Sequence, residues 1–244
     1  MITKGTCKMK KIEIIRELNK YPVFSLKTLS EIVKKNKNYA KLIAYRLKKE
    51  NLIFEIERGK YTVHKNPLIM ASNIIWPSYI SCWSAIRYHN MTEQLPQTIF
   101  VVTTRKRKNR IIKLNNNKII FIKISPKYFF GYAKESYDNF DIFIAEKEKA
   151  LIDSSLLKKI SFSEICEIIK NNKETINFNL LEDYLIKIGN KALSKRFGFL
   201  LDKIEVDTKK LKRLIDYKYV PLECSIKPKG KKDKKWRIIE NVAI

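Results

Sequence analysis

The 244-residue chain carries 51 Lys and Arg against 25 Asp and Glu, a formal net charge of +26. That balance favours polyanionic partners, although an A/T-rich genome would by itself produce part of the Lys, Ile and Asn excess. The scattered cysteines Cys7, Cys82, Cys166 and Cys224, with only His64 and His89 beside them, exclude a zinc site built from local spacing. Isolated thiols, no apolar run of the ~18 residues a spanning helix needs, and no signal-peptide core at the N-terminus predict a soluble, cytoplasmic protein without membrane contact, metal or cofactor.

Residues 10–63 read as a winged helix-turn-helix. Residues 10–20 predict a first helix with Ile12, Ile15 and Leu18 inward, stopped at Tyr21-Pro22 because proline cannot continue a helix. Ser25 is a candidate N-cap for a second helix with Leu26, Leu29, Ile32 and Val33 inward. A third helix spans residues 36–50. With Ile43 taken as the inward direction, Tyr39, Ala40 and Leu47 share its face, while Lys37, Asn38, Lys41, Tyr45 and Lys48 fall on the other. Residues 52–57 and 60–63 predict two strands joined at Arg58-Gly59, with Arg58 and Lys60 on either side of the turn glycine. One helix face can pack and the other can meet duplex DNA. A small helical domain with a solvated Lys face is the plainer reading, but helix order, phase and charge agree on DNA.

Residues 67–160 predict a mixed α/β unit with a small, largely antiparallel sheet. Residues 81–89 read as a helix capped by Ser81. Strands follow at 98–104, 111–114 and 118–124, the last two joined by a turn at Asn115-Asn116-Asn117. A further strand covers 140–145 and a helix 146–157. Between the first two strands lies a basic loop containing Arg105, Lys106, Arg107, Lys108 and Arg110, either a phosphate contact or a solvated hairpin end. Residues 161–226 are helical in period: Phe162, Ile165 and Ile169 share one face, and Leu181, Tyr184, Leu185 and Ile188 another. Asn190 predicts a cap for a helix through Leu201, and Leu211, Leu214 and Ile215 mark a last helix. Residues 227–244 form a basic tail. Its charge run, with Lys231 and Lys232, reads as disordered or as a polyanion contact, and Trp236 inside it implies that the end docks back. The fold class is therefore α+β: an N-terminal unit at 1–66 and a C-terminal unit at 67–244 whose apolar faces do not need the first.

Other residues read as structural. Tyr128, Phe129, Phe130 and Tyr132 offer burial around Gly131, which permits a tight turn. Lys149 and Asp153 are i, i+4 neighbours, placed to pair as a bridge beside Glu148. His89 reads as a half-buried packing residue. The chain also lacks catalytic motifs. No acid on one strand is followed by Glu-x-Lys on the next, as a metal-dependent nuclease requires, and Asp-x-Lys occurs only at Asp207, Asp216 and Asp233 in Lys-dense segments. Phosphate-loop, nucleophile-elbow and zinc-protease motifs are missing. The chain reads as a non-enzyme, and a nuclease targeted by a winged helix is the weaker alternative.

Several segments together resemble the AbiEi antitoxin family of abortive-infection toxin–antitoxin systems. They are YISCWSAIRYHNMTEQLPQTIFVVTTRKRK at 79–108, FFGY at 129–132, IAEKEKALID at 144–153, GNKA…RFGFLL at 189–201, and VPL…KWRIIENV at 220–242. The order covers nearly the whole chain. The resemblance implies an autoregulatory repressor whose winged domain binds inverted repeats at its own promoter, with a dimer on the DNA. It also implies that the C-terminal domain antagonises an AbiEii-like nucleotidyltransferase toxin without requiring a stable complex. A stand-alone transcription factor with the same fold and no toxin is the other reading.

Overall fold

The structure, a computed structural model, describes residues 10–114 and 117–243. Cys7, the start of the chain and the Asn115-Asn116 part of the expected turn lie outside the described residues. Among the described residues no helix is long and apolar enough to cross a membrane. The architecture is mixed α and β.

The N-terminal unit holds three helices and a three-stranded sheet. They run α1 (Lys11–Leu18), β1 (Phe24–Ser25), α2 (Leu26–Val33), α3 (Lys37–Lys49), β2 (Phe54–Glu57) and β3 (Lys60–Thr62). The strand order is β1-β3-β2, antiparallel throughout. Two caps set the helix starts. Ser25 Oγ accepts from Thr28 N, and Asn36 Oδ1 accepts from Tyr39 N at 3.0 Å. The small core closes over Ile14, Leu18, Phe24, Leu29, Val33, Ala40, Ala44, Leu47 and Ile53. Two helical phases differ from expectation. Ile12 is 81% exposed and Ile14 takes its place, because α1 turns only a narrow stripe, Ile14 and Leu18, fully into the small core. In α3 the alanines at 40 and 44 face the core and Ile43 is half-buried, since small side chains let α2 and α3 approach closely.

The second unit is built on a six-stranded sheet in the order β6-β7-β5-β4-β9-β8. Its strands are β4 (Ser78–Ser81), β5 (Thr98–Thr103), β6 (Ile111–Leu114), β7 (Asn117–Lys123), β8 (Tyr132–Tyr137) and β9 (Phe140–Ala145). The expectation of a small, largely antiparallel sheet is corrected: β5 pairs β7 in parallel and β4 pairs β9 in parallel. These pairings join strands from different stretches of chain, which a strand-by-strand reading cannot order. Ser81 ends β4 instead of capping a helix. The turn into α5 (Trp83–Tyr88) is made by Cys82 at φ 55°, and the Ser81 hydroxyl is committed elsewhere. α4 (Pro67–Ala71) packs on β9 and β5.

Helix α6 (Lys147–Leu156) is the centre of the molecule. All seven residues from 148 to 154 are buried, charged ones included. α7 (Phe162–Asn171) and α8 (Phe178–Ile188) pack on it, and α9 (Lys191–Lys203) follows from its Asn190 cap. Residues 211–214 make one 3-10 turn instead of a last helix. The basic tail is folded. β10 (Val220–Pro221), β11 (Lys231–Asp233) and β12 (Ile238–Glu240) form a small sheet in the order β10-β12-β11. The expected docking of Trp236 is found: its ring is fully buried against Gly198 of α9.

The two units are not independent. β2 carries a bulge between Glu55 and Glu57, and Ile56, the extra residue there, joins the core of the larger unit. The larger core is thus shared at this point, where the sequence alone presents the C-terminal apolar faces as independent.

Gly198 tests the packing of the tail. A Cβ there would lie 2.0 Å from Trp236 Cζ3. Helix propensity favours Ala over Gly by about 1 kcal/mol, but forcing a methyl into a filled core costs about 1–3 kcal/mol or more. Gly198→Ala should lower the urea midpoint with an unchanged slope, and Trp236→Leu in the same chain should restore part of it.

Candidate nucleic-acid interface

α3 presents the expected face. Lys37, Asn38, Lys41, Tyr45 and Lys48 are all exposed, Tyr45 at 66%. The Asn36 cap fixes where the helix begins and so places Asn38 and Lys41 in its first turns. Lys37 and Lys41 have no acid in ion-pair range among the described residues. Lys48 differs. Its ammonium sits 2.5 Å from Glu55 Oε2 on β2, and this bond with the Glu55 charge holds the lysine pKa above its ordinary value. Lys48 thus ties the helix to the hairpin and is a correction to the set of free cations. Arg46 and Lys49 are exposed on the same helix and escaped the sequence reading. With Ile43 inward Lys49 already falls on the outer side, whereas Arg46 falls beside the packed face, from which the shift of the buried stripe to Ala40, Ala44 and Leu47 releases it.

The hairpin splits the two cations expected to flank its glycine. Gly59 has φ +79° and nothing near the site of a Cβ, so its role is conformational. Arg58 is exposed beside it. Lys60 turns the other way. Its Nζ lies 2.9 Å from Glu57 Oε1 and donates to the Ile74 carbonyl at 2.5 Å. It is therefore a joint between the units, not a free contact at the tip.

Arg107 is corrected in the same way. Only 10% of its side chain is exposed. Its guanidinium pairs with Glu57, lies 4.1 Å from the centre of the Phe121 ring, and donates through Nε to Asn109 O at 3.1 Å. Glu57 thus takes one cation from each unit. Burial pushes its carboxyl up, but Lys60 and Arg107 outweigh burial and hold it below the ordinary 4.5. Arg105, Lys106, Lys108 and Arg110 remain exposed on the loop that Arg107 anchors. Lys231 and Lys232 are exposed on β11, on the side of the molecule built around α9.

The most chemical-looking cluster lies elsewhere and is closed. Lys149 Nζ pairs with Asp153 and donates to the Tyr79 hydroxyl at 2.9 Å. Tyr79 Oη and Ser81 Oγ donate to Asp153 Oδ2 at 3.0 and 2.9 Å. Burial pushes the Asp153 carboxyl up while Lys149 and the hydroxyls pull it down; burial also carries the Tyr79 hydroxyl well above its ordinary value and the neighbouring Cys82 thiol to about 12. Every one of these side chains is at most 1% exposed. Substrate has no path to them, so the expected Lys149–Asp153 pair is structural. His89 is half-buried as expected, with Nε2 2.7 Å from Ala145 O.

No family model matches the chain, and no curated protein matches it.

The Glu57 joint has a pH signature. A carboxyl whose folded pKa lies below its unfolded value stabilises the fold above the unfolded value, and that stability is lost as pH falls through the folded value. Glu57→Gln should lower stability at pH 7, and the gap to the parent should shrink below pH 4.5 and vanish once Glu57 is protonated in both states. Chemical denaturation across pH 3 to 7 checks it (~1 kcal/mol at neutral pH, discounted for partial exposure). A gap independent of pH would remove Glu57 from the joint.

Proposed function

We propose that the chain is a duplex-DNA-binding repressor that reads its operator with α3. The observation that carries this reading is the α3 face itself: exposed Lys37, Asn38, Lys41 and Tyr45 on a capped helix, opposite a packed face of small residues. The order α1-β1-α2-α3-β2-β3, with β1 pairing β3, supports a winged helix-turn-helix reading. α3 is then the recognition helix, and Arg58 sits at the wing tip. Recognition helices reach base edges from their first turns, where Asn can bond adenine bidentately and Lys can reach guanine. Arg105, Lys106, Lys108 and Arg110 extend the cationic surface beside the wing, because Arg107 holds their loop to Glu57. They supply phosphate contacts that raise affinity without reading sequence.

The antitoxin part of the reading rests on the AbiEi-like motifs. In it the protein represses its own promoter at inverted repeats, and the C-terminal unit antagonises an AbiEii-like nucleotidyltransferase toxin. A stand-alone repressor would have the same α3 and no such toxin, and an adjacent nucleotidyltransferase reading frame separates the two.

Asn38→Ala with Lys41→Ala tests both parts. The residues are exposed, so melting should not change. Mobility-shift titration on the chain's own promoter should show a loss of at least about fivefold, from about 1–3 kcal/mol per base contact. The same variant, expressed with the cognate toxin from an unrelated promoter, should still rescue growth. Binding within twofold of the parent would remove α3 as the reader. Death of the cells would show that neutralisation needs the DNA-binding face.

A further inference from the structure

The C-terminal lobe carries a second cationic surface that the α3 reading does not use. Between residues 209 and 237 cations outnumber acids twelve to three. Each of the three acids already has a partner in the fold. Asp216 takes the buried Lys195 at 2.5 Å, Asp233 accepts from Trp236 N at 2.6 Å, and Glu223 accepts from Phe162 N at 2.7 Å. The outer face of this lobe therefore carries a net positive charge.

A groove of about 360 Å³ opens on this face, lined by Lys212, Tyr217, Lys234, Lys235 and Arg237 together with Ile215 and Asp216, whose carboxylate is held by Lys195 and Lys191. Lys235 is paired with Asp202. Lys212 and Lys234 are exposed, with no acid in ion-pair range among the described residues. Tyr217 stands in the groove at 79% exposure, so its ring is bare on a surface otherwise given to charge. Next to it, Tyr219 is already covered. Lys232 lies 5.4 Å and Arg237 5.5 Å from its ring centre, and Arg237 Nη1 donates to its hydroxyl at 3.2 Å. Two tyrosines two residues apart thus differ: one ring is used by the fold and the other is presented to solvent.

The geometry points to a single-stranded nucleic-acid site, with an unpaired base stacked on Tyr217 and the flanking phosphates held by Lys212 and Lys234. A bare aromatic ring among cations is the arrangement that binds single strands, because any base offers a π-face and the backbone meets the charges. A duplex gains little from the ring, since its bases are already stacked on one another. The groove lies on the lobe built around α9 and the β10-β12-β11 sheet, and α3 packs on α2 at the other end of the chain. The site stands or falls apart from operator reading.

The test is fluorescence anisotropy on the full chain, with labelled oligo(U) and oligo(dT) of ~12 nucleotides, a duplex of equal length, and poly-L-glutamate as a non-nucleic polyanion. Tyr217→Ala should weaken the single strands by about 5- to 140-fold, the equivalent of one stacked base at about 1–3 kcal/mol. Its duplex and polyglutamate affinities should stay within twofold. Tyr217→Trp should retain single-strand binding, and Asn38→Ala with Lys41→Ala should leave it unchanged. The ratio of oligo(U) to oligo(dT) affinity tells an RNA site from a DNA site, and either satisfies the proposal. Single-strand affinity within twofold of the parent in Tyr217→Ala would overturn it. So would an equal loss for duplex or polyglutamate, which would make the groove a general polyanion surface.

Discussion

A buried ion pair sets the frame of this molecule. Lys149 and Asp153 lie one turn apart on α6 with no access to water. Two such charges are tolerable only when paired and hydrogen-bonded, and removing one partner of a buried pair costs about 3–5 kcal/mol. Tyr79 and Ser81 on β4 complete the set, so α6 has one rotation and one height over the sheet. Glu148, the neighbour of Lys149, accepts from Asn177 N at 2.7 Å and places the start of α8. Gly131 is required by the same pair. A Cβ there would lie 3.1 Å from the Lys149 stem and 2.9 Å from the Tyr184 ring, and its φ of +69° disfavours other residues. The FFGY segment thus passes over the lysine because a side chain would not fit.

A second joint carries that frame to the N-terminal unit. Glu57 sits between Lys60 and Arg107, and Ile56 beside it enters the larger core. Two cations that look like ligand contacts in the sequence are spent on holding the hairpin to the sheet. The consequence for the proposed DNA reading is geometric. α3, the hairpin and the 105–110 loop are presented from one body, so binding would not have to order a flexible linker first.

Much of the N-terminal unit was legible because its signals are local. The Ser25 cap, the Arg58-Gly59 turn and the exposed α3 face all follow from a few neighbouring residues, whereas Asn36 was placed inside the third helix and is its cap. β1 was not legible, since two residues pairing with β3 leave no periodic trace. α6 was legible as a helix but not as the centre, because its burial on every side erases amphipathic periodicity. The i, i+4 spacing gave the Lys149–Asp153 pair, whereas Tyr79 and Ser81 come from 70 or more residues away. The same limit applies to the cations. Charge alone groups Arg107 with Lys106 and Lys108, and only the position of Glu57 and Phe121 separates a structural arginine from free ones. The tail was misread in part for a similar reason: its charge run hides a fold that depends on Trp236 meeting a distant Gly198.

Sequence selection from a random duplex pool bears most directly on the proposed reader. If α3 reads base edges, repeated rounds with the full chain should converge on one sequence, and the Asn38→Ala, Lys41→Ala chain should fail to enrich it while still retaining DNA at low salt. A pool that never converges would contradict sequence reading and leave only charge. Convergence on the same sequence by both chains would place the reader somewhere other than α3.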